Sequence, residues 1–382
     1  MKNISILLAA IILCLLLACP SVLAGTMSEN EVSDAMVRGY TAIKANDFDS
    51  AKAIFAAVAR DAPTSPRAPE AMAALGSVYY KTDDETTAMN TYRALVQNYP
   101  DTPEAGYVLY RLGSQEMRTR RFADAQQDFR AAADNKHISN LDRGRALLQI
   151  GFVDLAEYFA YQNGNNLPLL ITPGDGQPIL DSAKQQFQAT RNLYANSVNP
   201  EIAAVADAAL GEIYLLSGRP ILAEEAYRRV SGEYGPIPLR LATLAQYGLG
   251  EALYGQGDLA SALQRFDQAL NDFSPGGEYG LGVAPIEAKA DLHAWKVLTL
   301  YGLKRFDEAL DAAQEGKAEL EEDPALADKV PTMDLWEGNI LCQMGNTGVG
   351  LTILQGIITD HPGTPQATHA AAVISQFEGG AK

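Results

Sequence analysis

The sequence predicts an all-α protein, a superhelix of about eight helical hairpins followed by a C-terminal capping helix. Three observations support this prediction. A glycine is followed 12 residues later by alanine and 16 residues later by an aromatic residue, and this spacing recurs along the chain. Apolar residues around each glycine recur with the 3.6-residue period of an α-helix. Turn-forming residues then separate the two helices of each pair, so the repeats indicate stacked helical units.

The repeated spacing can be followed through most of the chain. Its clearest copies are Gly39–Ala51–Phe55, Gly76–Ala88–Tyr92, Gly113–Ala125–Phe129, Gly211–Ala223–Tyr227 and Gly250–Ala262–Phe266, with a weaker copy at Gly338–Gly350–Leu354. A degenerate copy has Val297 in place of the glycine and Ala313 in place of the aromatic residue, so we expect different packing there. We expect each glycine to face the alanine of the next helix. The amphipathic stretch from Gln366 to Phe377 is predicted to cover the last apolar face.

Two segments interrupt the regular spacing. Between Gly151 and Ala183 the distance is 32 residues rather than 12, which predicts an inserted loop at 163–178 within a repeat. The loop would divide an N-terminal block, 25–162, from a C-terminal block, 179–382. It is either a tolerated surface insertion or a binding element, because Leu167, Leu169, Leu170 and Ile171 are apolar. The glycine-rich segment 274–282 lacks the Lys-Ser/Thr of a phosphate loop and is predicted to be a connector.

The first 24 residues are predicted to be a signal peptide. Lys2 precedes an uncharged apolar run, and Val22-Leu23-Ala24 fits the small-residue cleavage pattern. Alternatively, Leu16-Leu17-Ala18-Cys19 resembles a bacterial lipobox, although Leu17 and Pro20 fit that pattern poorly. The chain is therefore expected to be exported to the periplasm. No later stretch is long enough to span a membrane, so we expect membrane association only if Cys19 is lipidated.

Composition and motifs argue against several classes of protein. The net charge of −17 disfavours nucleic-acid binding, since an acidic chain repels phosphate backbones. The four histidines are scattered without a metal-ligand spacing, and Cys342, the single cysteine outside the leader, falls at an apolar helical position. We therefore expect no enzyme activity, no metal site and no cofactor. The basic run Arg118, Arg120 and Arg121 either faces water at a helix end or forms a docking patch for an acidic partner.

The repeated residues resemble the tetratricopeptide repeat family. The resemblance rests on Leu-Gly at 75–76, 112–113, 210–211 and 249–250, together with the alanine and aromatic positions above. The phrase Y-P-D-T-P-E-A at 99–105, followed by Leu-Gly, resembles envelope members in particular. These include the lipoprotein of the outer-membrane barrel assembly machinery and the Tol-Pal-associated periplasmic coordinator.

The resemblance implies a surface that binds other molecules. In the family, the first helix of each repeat lines a concave groove. Carried over by the glycine anchors, the groove positions are Met36, Tyr40, Tyr80, Tyr107, Tyr110, Met117, Phe152, Leu155, Leu215 and Tyr247. The Lys/Asn carboxylate clamp of chaperone-binding members is not reproduced. The resemblance thus implies a non-enzymatic exported protein that binds protein or peptide segments and scaffolds a cell-envelope complex. The alternative is a carbohydrate-binding superhelix, because tyrosine-lined grooves also stack on sugars.

Overall fold

The computed structural model describes residues 27–161, 176–273 and 285–379. Within these ranges the chain forms 17 α-helices and one 3₁₀ helix, and no strand. The predicted all-α fold of about eight hairpins with a final helix is confirmed. The chain divides into two compact units, Met1–Ser139 (unit 1) and Asn140–Lys382 (unit 2).

Unit 1 contains three antiparallel helical hairpins. Its helices are α1 (Glu29–Lys44), α2 (Phe48–Asp61), α3 (Ala68–Lys81), α4 (Glu85–Asn98), α5 (Pro103–Arg118) and α6 (Phe122–Asp134). The two helices of each hairpin pack together, and each hairpin packs on the next.

Unit 2 contains five hairpins and a final helix. Its helices are α7 (Asn140–Tyr161), α8 (Gln177–Tyr194), α9 (Pro200–Leu216), α10 (Pro220–Gly232), α11 (Leu239–Gly255), α12 (Leu259–Asn271), α13 (Pro285–Gly302), α14 (Phe306–Glu321), α15 (Val330–Gln343), α16 (Thr347–Asp360) and α17 (Pro365–Gly379). The 3₁₀ helix Pro324–Lys329 joins α14 to α15. Helix α17 extends the predicted capping stretch at both ends, and its Ile374 and Phe377 pack on the core around Leu354.

The turn inside most hairpins has the same backbone geometry. One residue adopts the left-handed conformation directly before the residue that starts the second helix. Asn46 has φ 58° and Gly257 has φ 84°, and the next residues, Asp47 and Asp258, cap their helices by accepting backbone N–H bonds. The tight turn places the second helix antiparallel to the first, since the reversal takes only a few residues.

The recurring glycine gives space to an aromatic ring. A Cβ atom on Gly39 would lie 2.6 Å from the Phe55 ring, and one on Gly211 would lie 2.5 Å from the Tyr227 ring. No real Cβ atom approaches a carbon so closely, so glycine is required for this packing. The expectation that each glycine faces an alanine is corrected: the ring fills the space that the missing side chain leaves, and the alanines are buried nearby.

Two irregular copies follow the same packing rule. Gly151 contacts the ring of Phe187, which lies four residues after Ala183, so the repeat register continues across the inserted segment. In the α13–α14 hairpin, Val297 and Ala313 are both buried in one cluster. The larger side chain has moved to the first helix and the smaller one to the second. The different packing predicted for this hairpin is therefore an exchange of volume between the two helices.

Several predictions concern residues outside the described ranges. The signal peptide 1–24, Cys19 and the segment 274–282 lie there, as does most of the insertion 163–178; helix α8 begins within its last residues, at Gln177. The division into blocks 25–162 and 179–382 stays a prediction, whereas the compact units meet between Ser139 and Asn140. Within the described ranges, no helix is long and apolar enough to cross a bilayer.

The glycine–ring contact predicts an unusual response to alanine. In an open helix position, Gly→Ala stabilises by about 0.5–1 kcal/mol through helix propensity. Gly211→Ala should instead destabilise by roughly 1–3 kcal/mol, because the added methyl group overlaps the Tyr227 ring. The denaturant midpoint of the full chain measures the change. Gly356→Ala on α16 is the matched control, because a Cβ there meets no atom within 4 Å, and it should stabilise. Two substitutions that both stabilise would contradict the packing described above.

Candidate functional site

The structure divides the ten predicted groove residues into three groups. Met36 and Leu155 are core residues, 0% and 3% exposed, and so cannot contact a partner directly. Four others lean on the ring or neighbouring anchor of their own hairpin. These pairs are Tyr40–Phe55 (5.4 Å between ring centroids), Tyr110–Phe129 (5.3 Å), Phe152–Phe187 (5.0 Å) and Tyr247–Phe266 (6.4 Å). Tyr80, Tyr107, Met117 and Leu215 have no such ring pair, and of these Tyr107 is the most exposed, at 54%.

A cationic and aromatic surface lies on the first helices of the last two hairpins of unit 1. Tyr80 on α3 and Tyr107, Arg111 and Arg118 on α5 form it, and we call it the Arg111 cluster. The guanidinium carbon of Arg111 lies 5.0 Å from the Tyr80 ring centroid and 5.9 Å from that of Tyr107. The Tyr92 ring, 5.6 Å away, lies on a third side. Arg111 is therefore held among three rings, a favourable cation–π arrangement.

Hydrogen bonds fix the rings of the cluster in place. Arg111 donates to the Tyr107 hydroxyl at 3.2 Å, and Arg118 donates to the Tyr80 hydroxyl at 2.9 Å. Tyr107 and Arg111 are four residues apart on α5 and so share one helix face. Tyr80 and Arg118 are 38 residues apart and meet because α3 and α5 lie side by side. The stacking of hairpins therefore assembles the cluster.

The charge of Arg111 is not balanced by an acidic side chain. Within the described residues, no carboxylate oxygen lies within 4.0 Å of its guanidinium nitrogens. Arg118, by contrast, is 3.4 Å from Glu85. A half-buried guanidinium whose neighbours are rings retains N–H groups that can bind a carbonyl or carboxylate oxygen. In a chain with net charge −17, this is a local site for electronegative atoms.

A second tyrosine is held rigidly on the first hairpin. The Tyr40 hydroxyl donates to Glu70 at 3.0 Å, and Glu70 in turn accepts from Arg67. Burial, together with the Glu70 carboxylate, raises the pKa of Tyr40 to about 12. Tyr40 therefore stays a neutral hydroxyl donor at any physiological pH, with 38% of its surface exposed.

The predicted basic patch does not form. Arg118 joins the Arg111 cluster, Arg120 occupies the left-handed turn position with φ 60°, and Arg121 pairs with the buried Glu116 at 2.8 Å. The sequence analysis missed Arg111 itself. Its only signal was the four-residue spacing from Tyr107, which also occurs in many ordinary helices.

In unit 2 the predicted residues are half-buried. Leu215 packs against the core, and Tyr247 lies near Glu251 and Trp295. Burial, together with the nearby Glu212 carboxyl, holds the pKa of Glu251 well above its usual range. Across the described parts of both units, no three His, Cys, Asp or Glu side chains are grouped so as to hold a metal ion. Cys342 is buried at 3% exposure, in keeping with a packing role.

Two family models match the chain. Residues 28–142 match the family described as outer membrane lipoprotein, and residues 208–278 match the tetratricopeptide repeat. The first match covers most of unit 1, including the Arg111 cluster. No curated protein matches the chain.

Solved structures share the fold at low sequence identity. The apo form of RapI is 11% identical, with a TM-score of 0.55 over 91% of this chain and 97% of that one. A chain of the APC/C hetero-tetramer Cut9-Hcn1 is 14% identical, with a TM-score of 0.50 over 94% of this chain and 57% of that one. A tetratricopeptide repeat protein from Parabacteroides merdae ATCC 43184 is 13% identical, with a TM-score of 0.47 over 79% and 98%. The first two similarities show the shared fold alone.

Proposed function

We propose that this tetratricopeptide-repeat chain is an exported, non-enzymatic protein that binds segments of other proteins and scaffolds a cell-envelope complex. The observation that carries the proposal is the Arg111 cluster, an exposed and preorganised surface on consecutive first helices of unit 1. The match of residues 28–142 to an outer membrane lipoprotein family supports a place in the envelope. The predicted signal peptide supports export.

The cluster offers a partner segment both apolar area and hydrogen bonds. The exposed ring of Tyr107 and the half-buried ring of Tyr80 can cover apolar side chains. Arg111, between them, can bind a carbonyl or carboxylate oxygen of the same segment. Because both hydroxyl groups are already bonded to arginines, little side-chain freedom would be lost on binding. Aromatic and arginine side chains in such settings commonly dominate the binding energy.

The proposed surface includes fewer of the predicted groove residues than the sequence analysis did. Tyr40, Tyr80, Tyr107, Tyr110 and Met117 belong to unit 1, whereas Phe152, Leu215 and Tyr247 belong to unit 2. Met36 and Leu155 are left to the core. Whether one partner segment contacts both units stays a prediction.

Cross-linking in cells tests the binding proposal. A photoreactive phenylalanine in place of Tyr107 should yield a discrete protein adduct on illumination. Leu193 on α8 is the matched control, because it is a similarly exposed apolar side chain, 62% against 54%, outside the cluster. Adding Tyr80→Ala to the Tyr107 probe should reduce the adduct at least about tenfold, as loss of an anchor worth ~1.4 kcal/mol would.

The same experiment can contradict the proposal. No adduct at Tyr107, or the same adducts at Tyr107 and Leu193, would rule out the Arg111 cluster as a specific binding surface. Circular dichroism of each variant should remain helical, which separates loss of binding from loss of fold.

Mass spectrometry of the mature N-terminus tests export. We expect the mature chain to begin at Gly25, because Val22-Leu23-Ala24 fits signal cleavage better than the residues around Cys19 fit lipidation. Removal of Lys2 would make the mature charge 29 − 47 = −18. A diacylglyceryl group on Cys19 would contradict this N-terminus and show a membrane anchor. An intact leader on the purified envelope protein would contradict signal cleavage.

A further inference from the structure

A buried carboxyl group joins the second and third hairpins of unit 1. Glu116 on α5 is 1% exposed. Its Oε1 atom accepts from Arg93 on α4 and from Arg121 in the turn after α5, the latter at 2.8 Å. Both arginines therefore bind the same oxygen. Glu116 lies beside Met117 and Arg118, so the group supports the helix that carries most of the Arg111 cluster.

The other oxygen of Glu116 has an unusual neighbour. Glu116 Oε2 faces the carboxyl group of Asp128 on α6. Both Glu116 Oε2 and Asp128 Oδ2 are buried, and neither accepts a hydrogen bond from a donor in the structure. Buried carboxylate oxygens are rarely left in this way, since an ionised carboxylate can only accept. One proton shared between the two groups would satisfy both oxygens with a single O–H···O bond.

We propose that Glu116 and Asp128 share one proton and form a pH-sensitive latch between α5 and α6, closed below neutral pH and released above it. When the proton is lost, two carboxylates face each other in a buried position. The arginines do not relieve that repulsion, because they already bind the opposite oxygen of Glu116. The contact that joined the two helices then separates them.

The surroundings of the pair favour the protonated state. Burial first, and then the Glu116 carboxylate, raises the pKa of Asp128 from its ordinary 3.8 to about 7. Among the described residues, the charged groups that face the pair are Arg93 on α4, Arg121 in the turn and Asp124 on α6. Arg93 opposes the rise and Asp124 adds to it. One shared proton is thus retained close to neutral pH.

The direction of the pH effect follows from proton linkage. The folded hairpin holds the proton more tightly than the opened one, so the latch stabilises it fully below pH 3.8. That stabilisation declines as pH rises and is lost above about pH 7. Between pH 6 and pH 8, loss of one such proton lowers the protection of local amides by about tenfold. A looser α5 would also weaken partner binding, a consequence that rests on the proposed function.

Carbon-13 NMR and hydrogen exchange on the full chain test the latch without a partner. We expect one aspartate carboxyl to titrate near pH 7 and to be missing in Asp128→Asn. Amide protection in α5 and α6, corrected for intrinsic exchange rates, should fall about tenfold from pH 6 to pH 8 in the wild type. Asp128→Asn keeps a donor at every pH and should remove most of this fall. Asp124→Asn, the same charge change on the same helix, should leave it in place.

Three results would overturn the latch. One is that every aspartate and glutamate carboxyl titrates below about pH 5.5. Another is that protection in α5 and α6 does not change between pH 6 and pH 8. The third is that Asp128→Asn shows the same fall as the wild type. If Asp128→Asn fails to fold, the wild-type titration and Glu116→Gln decide. Because none of these readouts uses a partner, the latch can fail while the Tyr107 cross-link survives, and the reverse.

Discussion

The contact between a helical glycine and an aromatic ring of the next helix sets the geometry of this protein. Because no Cβ atom fits between them, the two helices can approach until the ring rests on the glycine backbone. In unit 2 the same ring also reaches the next hairpin, since Tyr227 lies against both Gly211 on α9 and Gly248 on α11. One ring therefore determines the spacing within a hairpin and the stacking between hairpins.

The candidate site depends on this stacking. Tyr80 and Arg118 belong to different hairpins and meet only because α3 and α5 run side by side. The Glu116 and Asp128 pair lies within one hairpin, where α5 and α6 are close enough for two carboxyl groups to face each other. Binding surface and latch thus share helix α5. A change in the packing of its hairpin alters the support of the surface.

The sequence predicted the hairpins well and the site less well, for physical reasons. Spacing identifies which residues lie near a helix contact, so the glycine and ring positions were recognised, even across the insertion. Spacing does not identify which neighbour fills the space, and the ring, being larger, displaced the expected alanine. Groove positions transferred by repeat number place a residue only on a helix face, so Met36 and Leu155 proved to be core residues. The partners of Arg111 and Glu116 lie on other helices and carry no signal in a single sequence.

A double-mutant cycle at Gly250 and Phe266 tests the glycine–ring contact most directly. Gly250→Val should overpack the hairpin and Phe266→Ala should leave a cavity, so each alone lowers the free energy of unfolding. Together they reproduce the Val297 and Ala313 arrangement found in the next hairpin. The double variant should then be more stable than the sum of the single changes predicts, with a coupling of roughly 0.5–3 kcal/mol. Strictly additive losses would contradict the claim that volume exchange across this contact maintains the stack.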